Sequence, residues 1–160
     1  MTTKADFTED EWTRLKRAPF IAGLAISLAD PGGPIEAIKE TAATLKTVTG
    51  AAGSGVGGEL VGALAQEVTA EARERKNPLA DFRPKGAMAG QEILEELRGV
   101  NGIVTAKATA EEADAYRGWL LAAAKEAADA AKEGGFLGFH AQRVSEGEQR
   151  MLDELAKALA

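Results

Sequence analysis

Residues 20–29, FIAGLAISLA, decide the fold, because they are apolar on nearly every side of a helix. A helix without a polar face lies in the middle of a protein. The whole apolar stretch, residues 18–29, has twelve residues. That is too short for a membrane span, which needs about 20. We therefore predict that this segment is the central helix of a bundle.

Three capping boxes indicate where other helices begin. In each box, a hydroxyl residue precedes a glutamate by three positions: Thr8 with Glu11, Thr109 with Glu112, and Ser145 with Glu148. The hydroxyl oxygen accepts a hydrogen bond from the third helical N–H, and the glutamate accepts one from the N–H of the capping residue. The sequence therefore predicts helices that start directly after each of these hydroxyl residues.

Proline and apolar spacing predict a second and a third helix. The second begins at Pro34, because proline fits the first helical turn, and it runs to about Val48. Its expected core stripe is Ile35, Ile38, Ala42 and Leu45. The third helix fades near Arg75, and its apolar residues step by four: Leu60, Leu64 and Val68.

Proline and glycine also predict interruptions. Pro19 lacks the N–H that would bond to the carbonyl of Leu15, so the first helix should kink or break there. A short fourth helix over residues 87–97, with Met88 in its apolar set, should end at the glycine-containing residues 99–102. Residues 103–105 have weak strand character.

A long alanine-rich helix, running to about Glu133, completes the predicted bundle. Its alanines allow another helix to approach closely, within the domain or across an oligomer interface. Residues 77–85 are expected to form a loop anchored by Phe82. We predict an all-α fold, a five- or six-helix bundle with a central apolar helix. It should form a single domain over residues 1–160, with residues 1–7 flexible.

Composition restricts the chemistry and the location. The chain has 160 residues and no cysteine, which excludes disulfides, thiolate metal sites and cysteine nucleophiles. Its net charge is −6, and the two halves have no basic excess of the kind that nucleic-acid binding needs. The first residues lack the basic start and apolar core of a signal peptide. We predict a cytoplasmic protein that binds neither nucleic acid nor membrane.

The glycine-rich segment over residues 50–58 contains the letters of a dinucleotide-binding loop. Candidate ligand-binding residues are Gly53, Ser54, Gly55 and Gly58. Such a loop must leave a strand and open a helix, whereas a helical pattern precedes this one. We expect an interhelical loop; the alternative is an anion site at the following helix N-terminus.

His140 is the only histidine and the candidate catalytic residue. It can act as a general base, or as a triad member with Ser54 or Ser145, but the spacing selects neither serine. The alternative is a loop histidine that caps a helix or faces solvent.

A glycine-rich aromatic segment provides the candidate partner-binding residues. Phe136 and Phe139 lie off every apolar stripe, near Arg143. We expect them to form an exposed docking patch or to anchor the segment in the core.

Paired carboxylates raise the question of a metal site. Glu92 with Glu95, and Glu111 with Asp114, share helix faces. A ferritin-like centre needs two Glu-x-x-His motifs, which a chain with one histidine cannot supply. We predict surface carboxylates and neither metal nor cofactor; a divalent-metal site on such pairs is an alternative.

The five residues ADPGG at 29–33, ahead of a helix, resemble a segment of tellurite-resistance-type helical domains. The acidic cluster of those domains is missing here, so no residue role is transferred. The chain has the general character of small helical bacterial proteins.

From these patterns we expect a non-enzymatic helical protein that binds a protein partner or forms a homo-oligomer. The alternative is a small enzyme or ligand-binding bundle that uses His140 and nearby carboxylates.

Overall fold

A computed structural model describes residues 2–29, 34–55, 57–132 and 145–160. These residues contain no strand and fold into six α-helices packed together: α1 Glu9–Ala29, α2 Pro34–Gly50, α3 Gly58–Arg73, α4 Ala89–Lys107, α5 Ala110–Lys132 and α6 Glu146–Ala158. Two short 3₁₀ turns cover Lys4–Asp6 and Gly86–Met88. The prediction of an all-α bundle is confirmed. Among the described helices, none has the length and apolarity required to cross a bilayer.

All three predicted capping boxes form. In the first, the Thr8 N–H donates to Glu11 Oε2 at 2.8 Å, and the Glu11 N–H donates to Thr8 Oγ1 at 3.1 Å. The box at Thr109 has distances of 3.0 and 3.2 Å, and the one at Ser145 has 3.1 and 3.2 Å. Helices α1, α5 and α6 therefore begin where the sequence predicts.

Two helices form the hub of the bundle. Helix α1 packs against each of the other five helices, and so does α5. The apolar segment of α1 is central, as predicted, although its last leucine, Leu28, is 44% exposed. The alanine face of α5 is fully buried and permits these close approaches: Ala123, Ala124, Ala127 and Ala128.

Helix α1 continues through Pro19, so of the two predicted outcomes, a kink or a break, the break does not occur. The carbonyl of Leu15, which Pro19 leaves without its helical donor, accepts a hydrogen bond from the hydroxyl of Tyr116 at 2.9 Å. Tyr116 is completely buried. Burial, reinforced by the charge of nearby Glu96 and opposed by Arg14, raises the pKa of the Tyr116 phenol well above its usual value. A side chain of α5 thus replaces the missing backbone bond of α1.

Helix α4 corrects a prediction. It runs to Lys107, so the glycines at 99 and 102 lie inside it and residues 103–105 are helical rather than extended. Four fully buried residues spaced by three and four hold it together: Ile93, Leu97, Val100 and Val104. Their burial outweighs the helix penalty of about 1 kcal/mol for each glycine. Met88, expected in the core, is 55% exposed.

Helix α2 also departs from its predicted stripe. Ala42 is exposed and Leu45 is half-buried, while the side chains of Ile35 and Ile38 lie outside the described part of the chain. Between residues 39 and 50 of this helix, where side-chain burial is described, the buried residues are Glu40, Thr44 and Val48. The stripe is polar in part because Gly23 of α1 leaves room for Thr44.

The remaining segments lie against the bundle. Residues 2–7 were expected to be flexible, yet Thr2 and Phe7 are buried, and the Thr2 N–H donates to Glu112 at 2.8 Å. The loop after α3 is anchored by Phe82, as predicted, whose ring lies 5.5 Å from the Arg17 guanidinium.

Candidate functional site

A cleft lies between α1 and α2 and is bordered by α3 and by the loop that follows it. It has two cavities of about 220 and 200 Å³, both of which are lined by Phe20, Thr41 and Pro78. We call the first the polar lobe, the second the apolar lobe, and the two together the α1–α2 cleft. Together they fall within the roughly 300–1,000 Å³ of small-molecule sites.

The polar lobe is built from matching faces of the two helices. Helix α1 contributes positions i, i+3, i+4 and i+7: Phe20, Gly23, Leu24 and Ser27. Such positions share one face of a helix. Helix α2 contributes Glu40, Thr41 and Thr44. A Cβ at Gly23 would lie 2.6 Å from Thr44 Oγ1, so glycine is what allows the helices to approach this closely.

Hydrogen bonds fix the polar groups of this lobe. The Ser27 hydroxyl donates to the Glu40 carboxyl, and the Thr44 hydroxyl donates to the main-chain carbonyl of Glu40 at 2.9 Å. Glu40 and Thr44 are each only 2% exposed. A buried carboxyl, a buried hydroxyl and the half-buried hydroxyl of Ser27 therefore lie at the wall of a cavity.

The apolar lobe continues the cleft beyond Phe20. Its walls include Leu45, Val68 and Ala72, and Lys16 lies at its edge. The Lys16 ammonium is held by Glu71 at 2.5 Å and by Glu67 at 3.3 Å. The charges here pair with one another, so the lobe itself offers mainly apolar contact.

A second concavity lies between α1, α4 and the loop around Phe82. In it, Arg17 contacts Asp81 at 2.5 Å and Glu96 at 3.1 Å, while Arg14 makes two bonds to Glu96, at 2.9 and 3.1 Å. This is an ion-pair network that ties α1 to α4 and to the loop. It is more open than the cleft, and we treat it as structural.

The glycine candidates lie away from the cleft. Gly53, Ser54 and Gly55 are exposed in the turn between α2 and α3, and Gly58 is the first residue of α3. The Ser54 hydroxyl donates to the carbonyl of Ala51 at 3.2 Å. A helix precedes this loop, as expected, so the strand that a dinucleotide loop requires is not present.

The candidate catalytic and partner-binding residues His140, Phe136, Phe139 and Arg143 lie outside the described residues. The hypotheses that depend on them stay predictions. The structure tests neither a pocket at His140 nor a patch at the two phenylalanines.

The carboxylate pairs do not form a metal cluster within the described ranges. No group of three or more histidine, aspartate or glutamate side chains there has suitable positions for an ion. Asp114 pairs with Arg117 at 2.7 Å, and Glu92 accepts a bond from the Lys85 N–H at 3.2 Å.

Sequence reasoning missed the α1–α2 cleft. Glu40 and Thr44 have the residue types of surface positions on an amphipathic helix, and the predicted apolar stripe of α2 did not include them. One signal was available: Gly23 and Ser27 are a small and a polar residue at helical spacing inside the most apolar segment. Comparisons with protein-family models, with curated proteins and with solved structures found no match to this chain.

Proposed function

We propose that this protein is a binding protein whose α1–α2 cleft holds a small amphipathic molecule. One observation carries the proposal: Glu40 and Thr44 are buried, and Ser27 is half-buried, at the wall of a cavity instead of in a filled core. Burying polar groups is unfavourable unless they are hydrogen-bonded, and an unfilled space loses packing contacts. The polar groups here are hydrogen-bonded, but the space beside them is unfilled, and a bound ligand would supply the packing contacts that it lacks.

The composition of the cleft supports the same function. Ligand pockets are mostly apolar, with a few converging polar groups that fix the orientation of the ligand, and they occur between the helices of bundles. The polar lobe supplies those groups, and Phe20, Leu24 and Leu45 supply apolar walls. A ligand with a polar head and an apolar body matches the two lobes.

The earlier expectation of a protein partner has less support from the described surface. Among large apolar side chains of the described residues, those exposed are Leu28 and Met88. Single exposed apolar residues are ordinary on a protein surface. Docking or self-association stays a prediction carried by residues 136, 139 and 143.

A ligand screen with matched variants tests this proposal. A library of small amphipathic molecules is screened at millimolar concentration by thermal shift, and each hit is titrated by calorimetry. Saturation at a hundred times Kd should stabilise the protein by about 2.7 kcal/mol. Thr41→Phe places a ring where the lobes meet, and Ala42→Phe adds one at the adjacent exposed position.

Hits should stabilise the wild type and Ala42→Phe but lose at least about tenfold in affinity for Thr41→Phe, which corresponds to about 1.4 kcal/mol. The absence of any hit would overturn the proposal. So would hits that bind the Thr41→Phe variant as tightly as the wild type.

A further inference from the structure

We infer that the ligand of the α1–α2 cleft carries a single uncharged aromatic ring, and that this ring occupies the apolar lobe. This assignment rests on the proposed function and adds the chemical class of the ligand. Three properties of the apolar lobe carry it: its size, the pairing of the charges around it, and the ring of Phe20 in its wall.

The size of the apolar lobe fits one ring. Three helices each contribute two residues four apart, which share a helix face: Lys16 and Phe20, Thr41 and Leu45, and Val68 and Ala72. The space between them measures about 200 Å³. An apolar cavity of about 150 Å³ inside a protein stays dry and binds benzene. The lobe therefore has room for a benzene ring with a short substituent.

The charged side chains around the apolar lobe are paired with one another. Lys16, Glu71 and Lys76 line it. The Lys16 ammonium is bonded to Glu71 at 2.5 Å, and the Lys76 ammonium is bonded to Glu74 at 2.7 Å. A charged group on a ligand would lose water here and would find each opposite charge engaged, which is unfavourable. An uncharged group avoids that cost.

The ring of Phe20 favours an aromatic group over a saturated group of equal hydrophobicity. Phe20 lines both lobes and is 5% exposed, so packing holds its ring in place. Aromatic rings attract each other through their quadrupoles, beyond the effect of the area that they bury. A saturated chain lacks this attraction and loses internal rotations on binding, whereas a ring is already rigid.

Three seven-carbon alcohols test the inference: benzyl alcohol, cyclohexylmethanol and 1-heptanol, titrated by NMR at pH 7. Each affinity is divided by the measured octanol–water partition coefficient, which removes the general hydrophobic contribution. The corrected affinity of benzyl alcohol should be at least about threefold higher than that of the other two. Phe20→Leu keeps an apolar wall and should remove this excess, whereas Phe82→Leu, which removes a ring in the second concavity, should keep it.

A pair of variants on α3 locates the ring without altering Phe20. Ala72 lies in the wall of the apolar lobe, and Ala70 is exposed on the same helix. Ala72→Phe should weaken benzyl alcohol binding at least about tenfold, and Ala70→Phe should leave it unchanged. Circular dichroism checks that each variant is folded. If Phe20→Leu does not fold, the Ala72 and Ala70 variants decide the question.

Charged analogues test whether the ring must be uncharged. 4-Methylbenzyl alcohol, 4-(hydroxymethyl)benzoate and 4-(aminomethyl)benzyl alcohol share a ring and a hydroxymethyl group and differ at the far end. The methyl compound should bind at least as tightly as benzyl alcohol, and both charged compounds should bind at least about tenfold more weakly. Equal binding of all three would place the far end of the ring in water and would overturn the inference.

The outcomes separate this inference from the proposed function. Equal corrected affinities for the three alcohols, all abolished by Thr41→Phe, overturn the aromatic assignment and leave the cleft as a binding site. Benzyl alcohol binding that survives Ala72→Phe places the ring outside the apolar lobe and also overturns the inference. If none of the probes binds while library hits do, the aromatic class is wrong; if neither probes nor library compounds bind, both proposals fail.

Discussion

The two halves of α1 handle buried polar groups in opposite ways. Near Pro19, the carbonyl of Leu15 would be unsatisfied, and the buried hydroxyl of Tyr116 bonds to it within a filled core. One turn later, around Gly23, the neighbouring helix contributes Glu40 and the packing gives way to a cavity. The first region shows that this bundle can seal a polar group completely. The region around Gly23, where a cavity remains beside buried polar groups, is therefore the better candidate for a binding site.

Removing the Tyr116 hydroxyl should have the largest effect on stability. Tyr116→Phe leaves the buried Leu15 carbonyl without a donor, so the free energy of unfolding should fall by about 1–3 kcal/mol. Urea unfolding measures this loss.

A double-mutant cycle identifies the cause. Pro19→Ala restores a backbone N–H for Leu15, so it should stabilise the Tyr116→Phe protein more than it stabilises the wild type. Equal effects in the two backgrounds would show that the hydroxyl does not compensate for the proline.

The close contact beside the cleft should have the next largest effect. Gly23→Ala places a methyl group 2.6 Å from Thr44 Oγ1. The resulting overpacking should cost about 1–2 kcal/mol, despite the better helix propensity of alanine.

Two variants check that assignment by urea unfolding. Thr44→Ala in the same chain should recover most of the loss. Gly99→Ala should cost less, because the atom it meets at 2.5 Å is the far end of the Arg14 side chain. A larger loss at Gly99 than at Gly23 would contradict the view that α1 and α2 are held close at Gly23.

The free energy of unfolding should also depend on alkaline pH, because of Tyr116. The pKa of Tyr116 is raised in the folded state by burial, so its contribution is fully present below the unfolded value of about 10. It should be lost as the pH rises further, by up to about 1.4 kcal/mol per pH unit. Unfolding measured between pH 9 and 11 should show a flatter profile for Tyr116→Phe than for the wild type; parallel profiles would argue against this.

The smallest stability effect is expected in the region around Gly23. Ser27→Ala removes one hydroxyl that donates to Glu40, at a half-buried position, so stability should change by about 1 kcal/mol or less. Thermal unfolding without ligand measures it. A loss as large as that of Tyr116→Phe would mean that the bond from Ser27 to Glu40 has a structural role, and the comparison between the two regions would fail.

The sequence predicted the helix starts best, because capping depends on residues close together in the chain. The boxes at Thr8, Thr109 and Ser145 all form. Prediction from the sequence failed where contacts between residues far apart in the chain determine the length of a helix. Val100 and Val104 are buried against the rest of the bundle, and this burial carries α4 through glycines that would end an isolated helix.

The candidate site was beyond prediction for a related reason. A glutamate and a threonine spaced by four on α2 normally face solvent. Thr44 is buried where Gly23 of another helix leaves room for it, and no local pattern connects the two positions. The hydrogen bond from Tyr116 to the Leu15 carbonyl takes the place of the backbone bond that Pro19 prevents. It was equally unpredictable from sequence, because residues 15 and 116 are far apart in the chain.

The hub position of α1 has a consequence for how the chain folds during synthesis. Helix α1 ends at residue 29, but α5, the other hub, is complete only at residue 132. At about 5–20 residues per second, a ribosome needs roughly 5–20 seconds to make the intervening hundred residues. During that time residues 20–29, the most apolar segment of the chain, lack the helix against which α1 packs most extensively.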